Sequence, residues 1–259
     1  MRTAADVTVD AVSGDLVLGI DIGGTGIKGA PVDVDAGRLT QKRHRILTPH
    51  PATPTAVADV VGEVVQHFDW TGAVGCTFPA VVKRGVVCTA ANVDERWIGT
   101  DAVATFAPSV KGPLTVLNDA DAAGLAEVRF GAGKGVDGVV LMITLGTGIG
   151  CGLFVDGTLV PNTELGHIEI NGKDAEKQAA FSVRERKDLS WRDYAKRVTT
   201  YLQHLDALVW PDLVIIGGGA SRDADKLLPH LDVRPKVVVA SLENEAGIVG
   251  AALAAHGRR

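Results

Sequence analysis

Short apolar runs separated by glycine-rich breaks set the rhythm of this chain. "DLVLGIDIGG" reads as a buried strand, and "IKGAPVDVDAGRLTQKRHRIL" as two more strands joined by a turn at Asp35 to Gly37, together a β-meander. Thr53 ahead of Pro54 supplies an N-cap and a first-turn proline for the helix "PTAVADVVGEVVQHF", whose valines recur at helical spacing. A strand "GAVGCTF", a hairpin "VVKRGVVCTA" and a strand "PLTVLND" follow, the last running into the alanine-rich helix "ADAAGLAEVRFG". A second meander then appears as "GVVLMITLG", "IGCGLFVD" and "GTLVP". Trp191, Tyr194, Val198, Leu202, Leu205 and Val209 mark one face of the helix "WRDYAKRVTTYLQHLDALVW". "DLVIIGGG" is a buried strand running into glycines, and "NEAGIVGAALAAH" is a helix of small residues able to pack closely on a neighbour.

Aligned with small gaps, "DIGGTGIKGAPVDVDAGRL" and "TLGTGIGCGLFVDGTL" share Thr-Gly-Ile, then Val-Asp, then Gly followed by Leu. An internal repeat of about 120 residues implies two similar α/β lobes facing each other across a cleft, not a solenoid. Composition agrees with a globular chain: 46% of residues are hydrophobic and 22% charged. Glycine stands out, with 31 among 259 residues against a usual share of roughly 7%. The net charge of -5, with no long basic run, argues against a general nucleic-acid binder. Cys76, Cys88 and Cys151 lie far apart and form no CxxC pair, as expected of small apolar residues in a reducing compartment. "MRTAADVTVDAVSGD" has no apolar core of a secretory leader, and no stretch approaches the roughly 20 apolar residues of a membrane span. A cytoplasmic protein is the expectation.

The glycine turns carry the first candidate chemistry. Consecutive glycines between strands can aim several backbone N–H groups at one anion, because no Cβ blocks the approach. Gly23, Gly24, Thr25 and Gly26 form one such turn, and Gly146, Thr147 and Gly148, preceded by Thr144, form the other. Thr25 and Thr147 add hydroxyls, and Lys28 adds a charge. Either turn alone reads equally well as a tight hairpin; two copies on matching lobes point to a shared phosphate site. Asp21 distinguishes the copies. At a strand end beside a phosphate turn, its carboxylate would orient a magnesium ion through water, or cap the turn. Gly217, Gly218 and Gly219 form a third run, which fits a strand-to-helix turn as well as a nucleotide or phosphate contact.

In "LNDADAAG", Asn118 and Asp119 sit where a strand stops and a helix begins. The helix dipole is expected to keep Asp119 ionised, able to accept a proton. A helix N-cap is the other reading of Asp119, and Asp121 competes for the catalytic role. "NTELGHIEING" places Glu164, His167 and Glu169 within one short segment, where carboxylates could grip vicinal hydroxyls.

With these residues in hand, Asp21 to Lys28, Thr144 to Gly150 and Ile215 to Gly219 resemble the first phosphate, second phosphate and adenosine segments of the actin, hexokinase and Hsp70 ATPase superfamily. Within it the chain is similar to the ROK sugar kinases from about residue 16 onward. The resemblance implies a two-lobed actin-like, ribonuclease H-like α/β fold. Residues 16–117 with 245–259 would form the small lobe, and residues 118–244 the large lobe. It also implies Asp119 as base towards a sugar 6-hydroxyl, with Asn92, Asn118, Glu164, His167 and Glu176 around the sugar; the register of Glu176 is uncertain. Most ROK proteins follow the histidine with three cysteines that bind zinc, whereas this chain reads "IEINGKDAEKQAAFS", so no zinc is expected. "FPAVV", "TAANVDERWIG" and "PNTELGHIEI" are similar to the zinc-less branch that uses inorganic polyphosphate. Glucose as acceptor, polyphosphate as donor with ATP as the alternative, Mg²⁺ and a homodimer are what the resemblance implies. The donor track is expected along Lys28, Lys83, Arg84, Arg129 and Lys134. A sugar-sensing regulator of the same family is the non-enzyme alternative; its repressor branch carries a helix-turn-helix ahead of the first strand.

Overall fold

A computed structural model describes residues 15–91 and 93–257; the polar segment 1–14 and Asn92 lie outside the described residues. The first meander forms as its pattern predicts. β1 (Leu16–Ile22) pairs antiparallel with β2 (Ile27–Asp33) in a register that sets Asp21 opposite Lys28 and leaves residues 23–26 as the turn. The third strand is split into β3 (Arg38–Leu39) and β4 (His44–Ile46), each paired with β2. Pro31 explains the break. Thr40 sends both its N–H (2.9 Å) and its hydroxyl (3.2 Å) to the Pro31 carbonyl, and proline has no N–H with which to return a ladder bond.

α1 (Pro54–His67) is capped as expected, the Thr53 hydroxyl accepting from the Ala56 N–H at 3.2 Å. It buries Val57, Val60, Val61, Val64 and Val65 against the sheet, each side chain contributing roughly 1.5–3 kcal/mol. β5 (Val74–Phe78), the hairpin of β6 (Val82–Lys83) and β7 (Val86–Val87), α2 (Ala102–Phe106) and β8 (Leu114–Asn118) complete the first half. Its sheet runs β3-β2-β1-β5-β8, with β5 and β8 parallel to β1.

The second half repeats this plan. α3 (Asp119–Phe130) leads into the meander β9 (Val139–Leu145), β10 (Ile149–Val155) and β11 (Thr158–Val160). A small hairpin of β12 (Glu169–Ile170) and β13 (Lys173–Asp174), α4 (Glu176–Ala179) and α5 (Phe181–Lys187) precede α6 (Trp191–Val209). β14 (Leu213–Gly217), α7 (Ala224–Leu227), β15 (Lys236–Val239) and α8 (Ala246–His256) close the chain. The sheet order is β11-β10-β9-β14-β15, with β14 and β15 parallel to β9. Two five-strand paths of the same kind, meander then parallel pair, give the duplicated α/β architecture that the repeat implied. β15, at the sheet edge, and the small hairpin of β12 and β13 are strands that the hydrophobic pattern did not announce.

Two helices join the halves. α8 packs on β1 and β5, α3 packs on β9 and β10, and the two helices pack on each other. Small residues permit this. A methyl on Gly250 would overlap the Ala122 carbonyl, and one on Gly75 would overlap the Ala251 carbonyl. Glu127, fully buried in α3, locks the crossover: it accepts from Leu242 N–H at 2.7 Å, Ala132 N–H at 2.8 Å and the Ser241 hydroxyl at 3.2 Å. Among the described residues, no helix is long and apolar enough to cross a membrane.

Candidate active site

The two ends of the linking helices meet where the meander turns open. Asn118, not Asp119, is the N-cap of α3: its Oδ1 accepts from Ala120 N–H at 2.8 Å and Asp121 N–H at 3.0 Å. Its amide nitrogen donates to the Ala80 carbonyl at 3.2 Å, so this buried side chain is committed to holding the helix start. Asp119 follows as the first helical residue, a half-buried carboxyl bonded to one N–H, that of Ala120, at 2.9 Å.

The surroundings of Asp119 overturn the expectation of a firmly ionised group. Burial, and next the Asp21 carboxylate, push its pKa up to about 7. A helix N-terminus contributes only about 0.3–1 kcal/mol, and here desolvation outweighs it. Asp121, the competing carboxyl, is 1% exposed; burial raises it to about 6. Its Oδ2 accepts from the Asn162 N–H at 2.8 Å, while Oδ1 has no partner among the described residues. Asn162 in turn clasps both the N–H and carbonyl of Val82, at 2.9 and 3.1 Å. Asp121 therefore serves a link between the halves.

Asp21 is held from three sides. The Thr77 hydroxyl donates to Oδ1 at 2.8 Å while accepting the Ile22 N–H at 3.0 Å. Lys28 pairs with Oδ2 at 3.0 Å. The first turn of α8 presses against the carboxylate so closely that a methyl on Gly247 would stand 2.8 Å from Asp21 Cγ. In the turns themselves, Gly23 N–H bonds the Gly26 carbonyl at 3.2 Å, and Gly146 N–H bonds the Gly148 carbonyl at 2.9 Å. Gly24 and Gly146 border open space, and Thr25 and Thr147 are exposed, their hydroxyls unclaimed among the described residues. Ser182, at the start of α5, fastens the second turn through the Gly146 and Thr147 carbonyls, at 3.0 and 2.7 Å.

A cavity of about 550 Å³ brings Asp21, Lys28, Asp119, Thr144 and the Gly217–Gly219 run together. Gly218 takes φ +76°, a left-handed conformation that favours glycine. Beyond the glycines, the cavity continues along Arg222 and Asn244. Of the cations expected to form a donor track, Lys28 alone lines this space. Lys83 and Arg84 sit in the β6–β7 hairpin, and Arg129 and Lys134 lie at the far end of α3.

The polar segment after β11 folds over the second turn. Glu164 and His167 flank a single turn, with Nε2 of His167 3.6 Å from Glu164 Oε2. Asp174 accepts at 3.0 Å from Nδ1 of His167 and raises its pKa, which orients the ring and leaves Nε2 facing Glu164. Burial raises the Glu164 carboxyl, and Glu164 adds to the field that raises Asp119. Glu176 accepts from Ile149 N–H at 2.8 Å, beside Gly148, so it lies against the second turn. Glu169 is exposed at the start of β12. Asn92 lies outside the described residues. Sequence reading missed Thr77, Asp174 and Arg222; the first two are recognisable only through the partners that folding gives them.

Among the described residues, no group of three or more His, Cys, Asp or Glu side chains is placed to hold a metal ion. A hydrated Mg²⁺ needs fewer protein ligands. Asp21 and Asp119, two carboxylates close enough for one to raise the other, fit such an ion together with donor phosphates.

The fold and this cleft define a kinase-like phosphoryl-transfer protein, and the chain belongs to the ROK family, whose description matches residues 17–182. It is 55% identical over 237 residues to a polyphosphate glucokinase of Mycobacterium tuberculosis, covering 91% of this chain and 89% of that one. The inorganic polyphosphate/ATP-glucomannokinase of Arthrobacter sp. strain KM superposes with a TM-score of 0.91 at 50% identity, over 95% of this chain and all of that one. A ROK family glucokinase from Streptomyces griseus, solved with glucose and AMPPNP, gives 0.82 at 27% identity, over 94% of this chain and 100% of that one.

Proposed function

We propose that the protein transfers the terminal phosphoryl group of inorganic polyphosphate to the 6-hydroxyl of glucose, giving glucose 6-phosphate and a donor shortened by one unit. The observation that carries this reading is the position of Asp119. It stands in the phosphate-turn cavity, within the field of Glu164, with a pKa of about 7. The sugar oxygen attacks the terminal phosphorus, its proton passes to Asp119, and the bridging P–O bond breaks towards the remaining chain. A base titrating near the working pH suits this step. Glu164 and His167 hold sugar hydroxyls, with Asp174 orienting the ring; Asn118 positions Asp119; Glu176 steadies the second turn beside the sugar. Backbone N–H groups of both turns, Thr25, Thr147 and Lys28 hold the donor's phosphates. Mg²⁺ beside Asp21 would neutralise developing charge on the transferred group.

ATP is the second donor. The extension of the cavity past Gly217–Gly219 to Asn244 leaves room for a nucleoside, and the Arthrobacter relative is named for both donors. A cytoplasmic homodimer serving glycolysis, with a small lobe of residues 16–117 and 245–259 and a large lobe of 118–244, completes the reading. The deciding experiment compares the two donors at saturating glucose and Mg²⁺ in a coupled glucose 6-phosphate assay. Turnover with polyphosphate is expected; turnover with ATP and none with polyphosphate would reassign the chain to ATP-dependent glucokinases.

A further inference from the structure

The segment that replaces the cysteines of other ROK proteins sorts its charges by face. Asp174 bonds His167 and the Glu176 N–H, and Glu176 bonds Ile149, so both carboxylates turn towards the sugar segment and the second phosphate turn. Their sequence neighbours Lys173 and Lys177 turn the other way. With Lys187 of α5 and Arg197 of α6 they line a second cavity, of about 540 Å³, that contains no Asp or Glu among its lining residues. None of these four cations is in a salt bridge among the described residues, although the whole chain carries a net charge of -5.

The cavity is built rather than incidental. Its floor includes the fully buried Ala175 and the edge of Tyr201, 1% exposed, whose hydroxyl is taken by Cys151 at 3.1 Å. Gln178 ties the hairpin together, its amide donating to the carbonyls of Ile170 and Lys173 at 3.0 and 2.9 Å. Half-buried Arg197 donates one N–H to the Gln178 carbonyl at 3.1 Å, which fixes the guanidinium and leaves its other donors unclaimed among the described residues. Four like charges around one concavity repel each other unless an anion joins them, and the volume falls in the usual range of ligand sites.

We propose that this cavity binds a phosphate-bearing anion outside the catalytic cleft. Oriented guanidinium and ammonium donors with no competing carboxylate match phosphate oxygens. Two sources share this chemistry, the distal part of a long donor chain and a phosphorylated sugar. Because α4 presents Glu176 to the second turn and Lys177 to the cavity, an occupant would bear on the same short helix as the sugar site.

Calorimetric titration of the intact protein with inorganic tripolyphosphate, without turnover, tests the site independently of the donor reading. The wild type is expected to bind two equivalents. Lys177→Glu/Lys187→Glu, at exposed positions, should lose one of them or weaken it by at least about 10-fold, since charge-assisted contacts are strong, and should leave kcat and the melting temperature unchanged. Lys173→Gln/Arg197→Gln should show the same loss from other elements. A rise in KM for long polyphosphate but not for tripolyphosphate identifies the donor chain as the source. Loss of a second equivalent of glucose 6-phosphate, with both KM values unchanged, identifies the sugar phosphate. Identical binding in wild type and both variants, whether one equivalent or two, overturns the proposal; a single wild-type equivalent that both variants lose keeps the site and counts against the donor reading instead.

Discussion

The two glycine turns share a backbone plan but divide the work. In the first, the cross-strand pair beside the turn is Asp21 and Lys28; at the corresponding place in the second stand Thr144 and Gly150. The first pair is an ion pair at 3.0 Å. The second is a space: a methyl on Gly150 would come within 2.6 Å of the Thr144 hydroxyl and 2.9 Å of Ala120 Cβ. Removing charge and bulk from the second copy lets the start of α3, with Asp119, settle against that sheet. One copy therefore supplies the charged wall of the cleft, and the other admits the base that faces it.

The most damaging way to break this arrangement is to remove the base. Asp119→Asn should lower kcat by at least about 100-fold, the usual scale of general-base help, in the coupled assay. Its stability should move the other way. The folded pKa of about 7 lies well above the ordinary carboxylate range, so ionising this group disfavours the fold increasingly as pH rises from that range towards 7. The variant is expected to melt at or above the wild-type temperature at pH 8; a large loss of stability would make Asp119 a structural cap.

Changing the first copy tests whether its charge reaches the base. Asp21→Asn should lower kcat by roughly 10-fold or more. It should also move the acid limb of kcat/KM to lower pH, because the Asp21 carboxylate is the second cause of the raised Asp119 pKa. Burial is the first cause, so the limb should stay above the ordinary carboxylate range. An unmoved limb would separate the two carboxylates electrostatically.

Changing the second copy tests the space. Gly150→Ala forces the Thr144 hydroxyl and Ala120 aside, an overpacking cost of about 1–3 kcal/mol. A lower midpoint in urea, together with a several-fold drop in kcat, is expected; wild-type behaviour in both would mean that α3 does not need the glycine.

How much of this was legible follows from the range of each interaction. The meanders, α1 and α6 rest on local periodicity, and both turns on glycine spacing, so these parts were readable. The resemblance named Asp119, Glu164 and His167, but not what tunes them. Thr77 reaches Asp21 across 56 positions, and Glu127, an ordinary glutamate in an alanine-rich helix, becomes a buried clasp on residues 241 and 242. The raised pKa of Asp119 is a property of assembled surroundings. A helix-end rule applied to the sequence alone had the wrong sign because it saw the dipole and not the desolvation.

The finest division between the copies lies in their hydroxyls, where none is expected. Thr25 and Thr147 occupy matching places in the turns, both are exposed, and neither hydroxyl has a hydrogen-bond partner among the described residues. The Thr25 carbonyl accepts from Arg45 at 3.1 Å and the Thr147 carbonyl from Ser182 at 2.7 Å, so each backbone is fixed while its side chain is free for a ligand. A hydrogen bond to donor phosphate is worth about 0.5–1.5 kcal/mol net, or roughly 2- to 10-fold in affinity. Thr25→Ala and Thr147→Ala should each raise the donor KM by such a factor, with KM for glucose unchanged. Equal effects would mean that the phosphate tail lies between both turns, despite their different charge. An effect at Thr25 alone would confine the tail to the charged copy and leave the second turn as a seat for α3.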